Sequence, residues 1–203
     1  MRRTKEEAAA TRRQVMEAAL RVFSQNGYAA TTLDDIAREA GVTRGAIYWH
    51  FDNKADLYNT LVAEVSGRVS PMIVVTLEEG DSVLGVLREI FVRLLSYMEE
   101  DEEFCAVQEL VLFKTAVTPE MEEGLRKKVE GTHQMVEMLT AVIERGIEAG
   151  EIRADLKPRD AALAMLGFQN GLTALWLLDN TLFSIKDRAE AMADIFINGI
   201  AST

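Results

Sequence analysis

Apolar residues recur along this chain at the spacing of helix faces. Val15, Ala18, Ala19, Val22 and Phe23 fall at i, i+3, i+4, i+7 and i+8 and predict a first helix, which Asn26-Gly27 should end. Thr32, with Asp35 three residues on, is a good N-cap for a second helix, "LDDIAREA", and Gly41 closes it. Thr43 caps a third helix expected from Arg44 to Phe51, and Asn53 with Asp56 caps a fourth starting at Lys54. The fourth should run to about Glu78 and be bent or interrupted at Pro71, because proline lacks an amide donor and clashes with the preceding turn. A fifth helix is expected from Asp81 to about Glu99 and a sixth from Phe104 to Thr115. "TPE" at Thr118 to Glu120 opens a long seventh that Gly150 ends, Pro158 opens an eighth, and a ninth covers Ser184 to Ile200. No Val/Ile/Thr-rich alternation interrupts this series, so the fold class is all-α, with about nine helices.

The second and third helices are short, and a turn of about three residues beginning with glycine joins them, which is the signature of a helix-turn-helix. Ile36, Ala37, Ala40, Val42 and Ile47 are the apolar or small positions that let the two helices cross, and Gly41 can take the positive φ of the turn. In such a unit the second helix enters the major groove of DNA, so Arg44 and Gly45 at its start would approach base edges. Arg44 can make a bidentate contact to guanine, and Gly45 lets the backbone come close. Tyr48, Trp49, His50 and Lys54 all carry donors that can reach phosphate oxygens, and helix N-termini at Thr32, Thr43 and Asn53 would add amide donors. The competing reading makes Tyr48 and Trp49 core aromatics and His50 a surface residue.

Composition sets the outer limits. A chain of 203 residues with 48% hydrophobic and 27% charged residues can bury the core of one large or two small domains. The single Cys105 excludes an internal disulfide, and no run of apolar residues reaches the roughly 18 that span a bilayer. "MRRTKEEAAATRR" is too polar for a secretory signal, so a cytoplasmic protein with no membrane partner is expected. His50 and His133 are far apart and offer, with Cys105, neither a metal cluster nor a nucleophile and its base. No catalytic residue, metal or cofactor is expected.

A net charge of -11 would ordinarily repel nucleic acid, but the charge is segregated. Residues 1–58 hold nine Lys/Arg against eight Asp/Glu, whereas residues 59–203 hold 13 against 25. The first 13 residues carry five cations and two acids, which fits either a solvated tail or an arm that touches phosphate.

"TTLDDIAREAGVTRGAIYWHFDNKADLY" resembles the DNA-binding domain of the TetR family of bacterial transcriptional regulators, and "RRTKEEAAATR" with "RGAIYWHF" is similar to the multidrug-efflux repressors within it. The match is dense over residues 11–58 and departs from the family pattern nowhere in the motif; beyond residue 60 it is one of length and helical layout. The resemblance implies a DNA-binding domain over residues 1–55 and a ligand-binding and dimerisation domain over 56–203. It places DNA contacts on Thr32, Thr43, Arg44, Gly45, Tyr48, Trp49, His50 and Lys54.

Small residues at Ala161, Ala164, Gly167, Gly171 and Ala174 would permit close helix approach, and Ala189, Met192, Ala193, Phe196, Ile197 and Ile200 form an apolar stripe. On the residues alone these are core or interface equally. The resemblance implies that the last two helices form a four-helix bundle with a second copy, through Ala164, Gly167, Gly171, Ala174, Met192 and Phe196. Phe91, Leu112, Met135, Met138, Met165, Phe168 and Trp176 are adaptable apolar side chains, interspersed with Gln108, Gln169 and Asn170. Each fits a core position or a promiscuous pocket. The resemblance favours Gln108, Leu112, Met135, Met138, Phe168, Gln169 and Asn170 as ligand contacts.

The function so implied is a ligand-responsive repressor that binds a palindromic double-stranded operator as a homodimer, controls a multidrug efflux operon, and is released by a hydrophobic or aromatic small molecule. The alternative keeps the helix-turn-helix but makes the C-terminal part a protein-interaction module with no small effector. A helical enzyme finds almost no support among the residues.

Overall fold

The computed structural model describes residues 5–115 and 118–202. They form α1 (Lys5–Ala30), α2 (Leu33–Ala40), α3 (Arg44–Tyr48), α4 (Lys54–Ser66), α5 (Val69–Glu79), α6 (Val83–Glu100), α7 (Glu102–Phe113), a 3-10 turn (Pro119–Met121), α8 (Glu122–Glu148), α9 (Pro158–Leu178) and α10 (Ile185–Ile200). Extended pairing among the described residues is limited to one isolated bridge, Ile152 with Ala201. The chain divides into two compact units. One takes the N-terminal residues to Gly67 together with Glu103–Arg126, and the other takes Arg68–Glu102 with Lys127–Thr203.

In the first unit the expected apolar stripe of α1 is buried in full: Val15, Ala18, Ala19, Val22 and Phe23. Gly27, at φ 74°, breaks α1 where Asn-Gly predicted a stop, and a short helical turn continues to Ala30. Phe23, Tyr28 and Tyr58 form an aromatic cluster with ring centroids 5.1 to 5.8 Å apart. Residues from the far end of α7 close over it. The Tyr28 hydroxyl donates to Glu120, that of Tyr58 pairs with Thr115, the Lys114 ammonium donates to the Ser24 carbonyl, and the Tyr28 amide donates to the Lys114 carbonyl. Burial first, and the bond to Glu120 second, push the Tyr28 phenol well above its ordinary range.

In the second unit α6 and α10 pack side by side and antiparallel. Arg88 near the start of α6 donates to Asp194 and Glu190, while at its far end Glu99 accepts from the Ser184 hydroxyl and the Ile185 amide that open α10. A carboxylate at that N-terminus meets both the orphan amides and the positive end of the helix dipole. Glu151 does the same for α6, accepting from the amides of Val83 and Leu84. Ile73, Val86 and Ile90 form a buried cluster with Leu77, Leu94, Met135 and Met138 packed against it.

Two elements differ from the sequence expectation. The helix expected from Lys54 to about Glu78 is two helices, and the interruption falls at Gly67–Arg68 rather than at Pro71. The position follows from proline chemistry, because the bond that Pro71 cannot donate is the one to the carbonyl four residues earlier, Gly67. The third helix ends at Tyr48, not Phe51. The amides of His50 and Phe51 both bond to the Ile47 carbonyl, which tightens the last turn and swings Phe51 into the core. A third expectation is corrected as well: the helical stretches Lys54–Glu78 and Pro158–Leu178 are long and apolar enough, by length and composition, to cross a bilayer.

Candidate nucleic-acid interface

The helix-turn-helix is built by local chemistry. The Thr32 hydroxyl accepts from the Asp35 amide while the Asp35 carboxylate accepts from the Thr32 amide, so α2 opens on a complete capping box. The Thr32 hydroxyl also donates to the Asp35 carboxylate at 2.6 Å, and this bond first, with the one from the Thr32 amide second, holds the Asp35 carboxyl below its ordinary range. Gly41 sits in the left-handed region at φ 64°, and Val42 returns its amide to the Ala37 carbonyl. The Thr43 side chain accepts from the Ala46 amide and starts α3. Ile36, Ala37, Ala40 and Ile47 are buried where the helices cross.

On α3 only Ile47 is buried, and Arg44, Gly45 and Tyr48 are exposed. Trp49, just past the helix, is 79% exposed, so neither it nor Tyr48 is a core aromatic. His50 is half-buried, its ring 6.3 Å from that of Phe51. Thr32 and Thr43 are exposed at the starts of their helices. The Arg44 guanidinium is tethered: one terminal nitrogen donates to Asp34 at 3.0 Å, the other to the Tyr48 hydroxyl at 2.9 Å, and its centre lies 5.5 Å from the Tyr48 ring. The Tyr48 bond first and the Asp34 charge second hold it firmly protonated.

Lys54 is placed differently from the other expected DNA contacts. Its half-buried ammonium donates at 2.9 Å to the carbonyls of Tyr28 and Thr31 and lies 4.3 Å from the centre of the Tyr28 ring. Two of its three donors therefore close the C-terminal end of α1. Of the cations in the opening segment, Arg2 and Arg3 lie outside the described residues. Arg12 is on α1, paired with Glu64 and lying over the Phe51 ring at 5.5 Å. Sequence reasoning missed Asp34, although a signal was present: Asp35 alone completes the capping box, which leaves the neighbouring carboxylate without a local role.

The expected ligand residues are distributed over both units. Gln108 and Leu112 lie on α7 in the first, where Leu112 is exposed. In the second, Met135 and Met138 pack against the Ile73–Val86–Ile90 cluster. Phe168 packs tilted against Phe91 and stacks on Phe196, at centroid distances of 5.6 and 6.4 Å, while Gln169 is half-buried and Asn170 exposed on the same helix. A polar cleft of about 160 Å³ lined by residues such as Asp81, Ser82, Arg145 and Glu151 includes none of them. Among the described residues no group of three His, Cys, Asp or Glu side chains could hold a metal.

The expected dimer residues divide by face. On α9, Ala164, Gly167 and Gly171 are exposed and Ala174 is half-buried, in line with exposed Leu163, Leu175 and Leu178. A Cβ added at Gly167 or Gly171 would meet nothing within 4 Å. Met192 and Phe196 are instead half-buried on α10, and Phe196 is stacked on Phe91 inside the unit. The exposed positions of that helix include the apolar or small Ala191, Ile195 and Gly199, beside polar ones such as Glu190 and Asn198.

An exposed α3 carrying a tethered arginine, held by a capped and glycine-turned α2, defines a helix-turn-helix DNA-binding protein. The comparisons agree. Residues 15–61 match the family described as bacterial regulatory proteins, tetR family, and residues 82–201 match the MAATS-type transcriptional repressor C-terminal region. The chain belongs to the TetR family of transcriptional regulators. It is 33% identical over 97% of its length, and over 92% of the relative's, to the HTH-type transcriptional regulator AcrR of Shigella flexneri. Among solved structures it resembles NalD, the secondary repressor of the MexAB-OprM multidrug efflux pump in Pseudomonas aeruginosa (TM-score 0.86, 27% identity, 97% and 98% of the two chains). It also resembles SmeT, the repressor of the Stenotrophomonas maltophilia multidrug efflux pump SmeDEF, in complex with triclosan (TM-score 0.82, 25% identity, 95% and 92%).

Proposed function

We propose that this protein is a ligand-responsive repressor of a multidrug efflux operon, binding a palindromic operator as a homodimer and leaving it when a hydrophobic small molecule binds. The observation that carries the reading is the outward display on and just after α3: its core contact is Ile47, while Arg44, Gly45, Tyr48 and Trp49 are exposed on the side that would face DNA. NalD and SmeT, whose names tie them to efflux pumps, supply the operon class, and the triclosan complex of SmeT supplies the kind of effector.

Dimerisation is supported by the open apolar and small-residue face of α9. A single copy exposes Leu163, Leu175 and Leu178 beside two glycines with empty space above them, and burying that face against a second copy removes apolar area from water. The same cover accounts for the bilayer-like composition of Pro158–Leu178 without a membrane. Two copies would present two α3 helices about 34 Å apart, one turn of DNA. Met135, Met138 and Phe168 are the effector contacts we propose within the second unit.

The test uses triclosan and duplexes selected from a randomised library. Triclosan should raise the thermal midpoint and weaken binding of the selected duplex by about 5- to 150-fold, the usual range of allosteric coupling. Binding that is indifferent to duplex sequence would defeat the operator half of the proposal. A selected duplex that holds equally well with a saturating, stabilising effector would defeat the other half, in favour of a C-terminal protein-interaction module.

A further inference from the structure

Arg44 does not wait for DNA as a free cation. Asp34, from the first turn of α2, lies 3.0 Å from one terminal nitrogen of the guanidinium, and the Tyr48 hydroxyl lies 2.9 Å from the other. Each contact occupies one N–H of its nitrogen, which leaves three of the five donors of the fork. Both partners are half exposed, with 52% of the Arg44 side chain and 59% of that of Asp34 open to solvent, so the pair exchanges readily. An acid this close to the DNA-reading arginine is a liability toward phosphate, and it has no part in capping, because Thr32 and Asp35 complete that box between them.

The liability has a use. Phosphate oxygens carry charge, whereas the guanine O6 and N7 that an arginine reads are neutral acceptors. A phosphate oxygen drawn to Arg44 comes within a few ångströms of the Asp34 carboxylate, and repulsion at that range is strong in the reduced dielectric of a protein surface. A base edge meets little of it. The carboxylate thus lowers the attraction of Arg44 for the backbone, the sequence-independent part of DNA binding, more than its attraction for a base.

We propose that Asp34 is a specificity-determining residue of the DNA interface: it holds the Arg44 guanidinium in place and biases it toward neutral base edges and against phosphate. The inference rests on the reading of α3 as the helix that enters the major groove. Asn at this position keeps an oxygen that can accept from Arg44 and removes only the charge.

The experiment measures, for full-length wild type, D34N, R44A and the double variant, affinity for a duplex selected from a randomised library and for poly(dI-dC), across a salt series. D34N should bind poly(dI-dC) about three- to tenfold more tightly, gain less on the selected duplex, and show a salt slope steeper by up to about 0.9 on the non-specific polymer. In the R44A background the same substitution should leave the ratio of the two affinities unchanged. An unchanged ratio in D34N, or an equal effect of D34N with and without Arg44, overturns the inference, the latter because the acid would then act only through general surface charge. If instead R44A itself leaves the ratio at the wild-type value, the reading of Arg44 as the base reader fails, a result separable from the first. The thermal midpoint of D34N checks folding, and the intact capping box predicts a value close to wild type.

Discussion

The Lys54 ammonium donates to two backbone carbonyls near the break in α1, that of Thr31 and that of Tyr28, which also accepts from the Thr31 amide. Lys54→Ala should therefore cost about 1 to 3 kcal/mol of stability in urea unfolding, the range for a buried acceptor left without its charged donor. It should change the salt slope of operator binding by clearly less than the ~0.9 of a dedicated phosphate contact. A stable variant with a full unit of slope lost would restore the phosphate-clamp reading. Tyr28 makes a second residue-scale prediction. Its phenol is raised by burial and by Glu120, and that of Tyr58 is raised by burial, so the stability both contribute is present below about pH 10 and falls as pH rises above it. Tyr28→Phe should flatten the loss of thermal midpoint on the alkaline side. At this scale Arg44, Thr43 and Gly45 were legible because their roles are local: a cap, a helix start, a three-residue turn. The engagement of Lys54 was not, because its acceptors lie 23 and 26 residues away. The reach of Asp34 across ten positions escaped notice for the same reason.

Among helices, glycine tests which faces are covered. Gly131 on α8 and Gly171 on α9 both have open space where a Cβ would stand. Gly131→Ala should stabilise by about 0.5 to 1 kcal/mol, since alanine gains helix propensity and meets nothing, and should leave the assembly state alone. Gly171→Trp should overpack the seam with a second copy and give monomers that bind DNA weakly; a variant still dimeric by sedimentation would put the interface elsewhere. Gly146 is the opposite case. A Cβ there would stand 2.6 Å from Ile152 Cδ1 and 2.9 Å from Val83 Cγ1, so Gly146→Ala should destabilise by about 1 to 3 kcal/mol despite its better propensity. Caps and glycine stops made the helices readable. Their ends moved where a neighbour decided: α3 closes early so that Phe51 can turn inward, and the break before Pro71 appears at the carbonyl it cannot satisfy. The stripe on α10 was read correctly as apolar, yet periodicity alone does not say which apolar face meets its own unit and which meets a second copy.

At the scale of the molecule, charge segregation and the family match point the same way: the acid belongs to the residues after 58, leaving the DNA-binding end nearly neutral. Operator binding should weaken steeply with salt, and effector and operator should lower each other's affinity by one common factor, measurable by calorimetry on the free and the DNA-bound protein. Unequal factors would mean that the two ligands do not share one equilibrium. That the chain falls into two units could be expected from sequence. The membership of the first unit could not, because Lys114, Thr115 and Glu120 find their partners 57 to 92 residues away. That discontinuity has a consequence for how the protein is made. During synthesis the N-terminal helices leave the ribosome long before the segment that closes over Tyr28 and Tyr58, so the DNA-binding unit stays unfinished until residues up to about 126 have emerged. A message cut short near residue 100 should yield a poorly folded fragment for proteolysis rather than a free DNA-binding domain that occupies the operator.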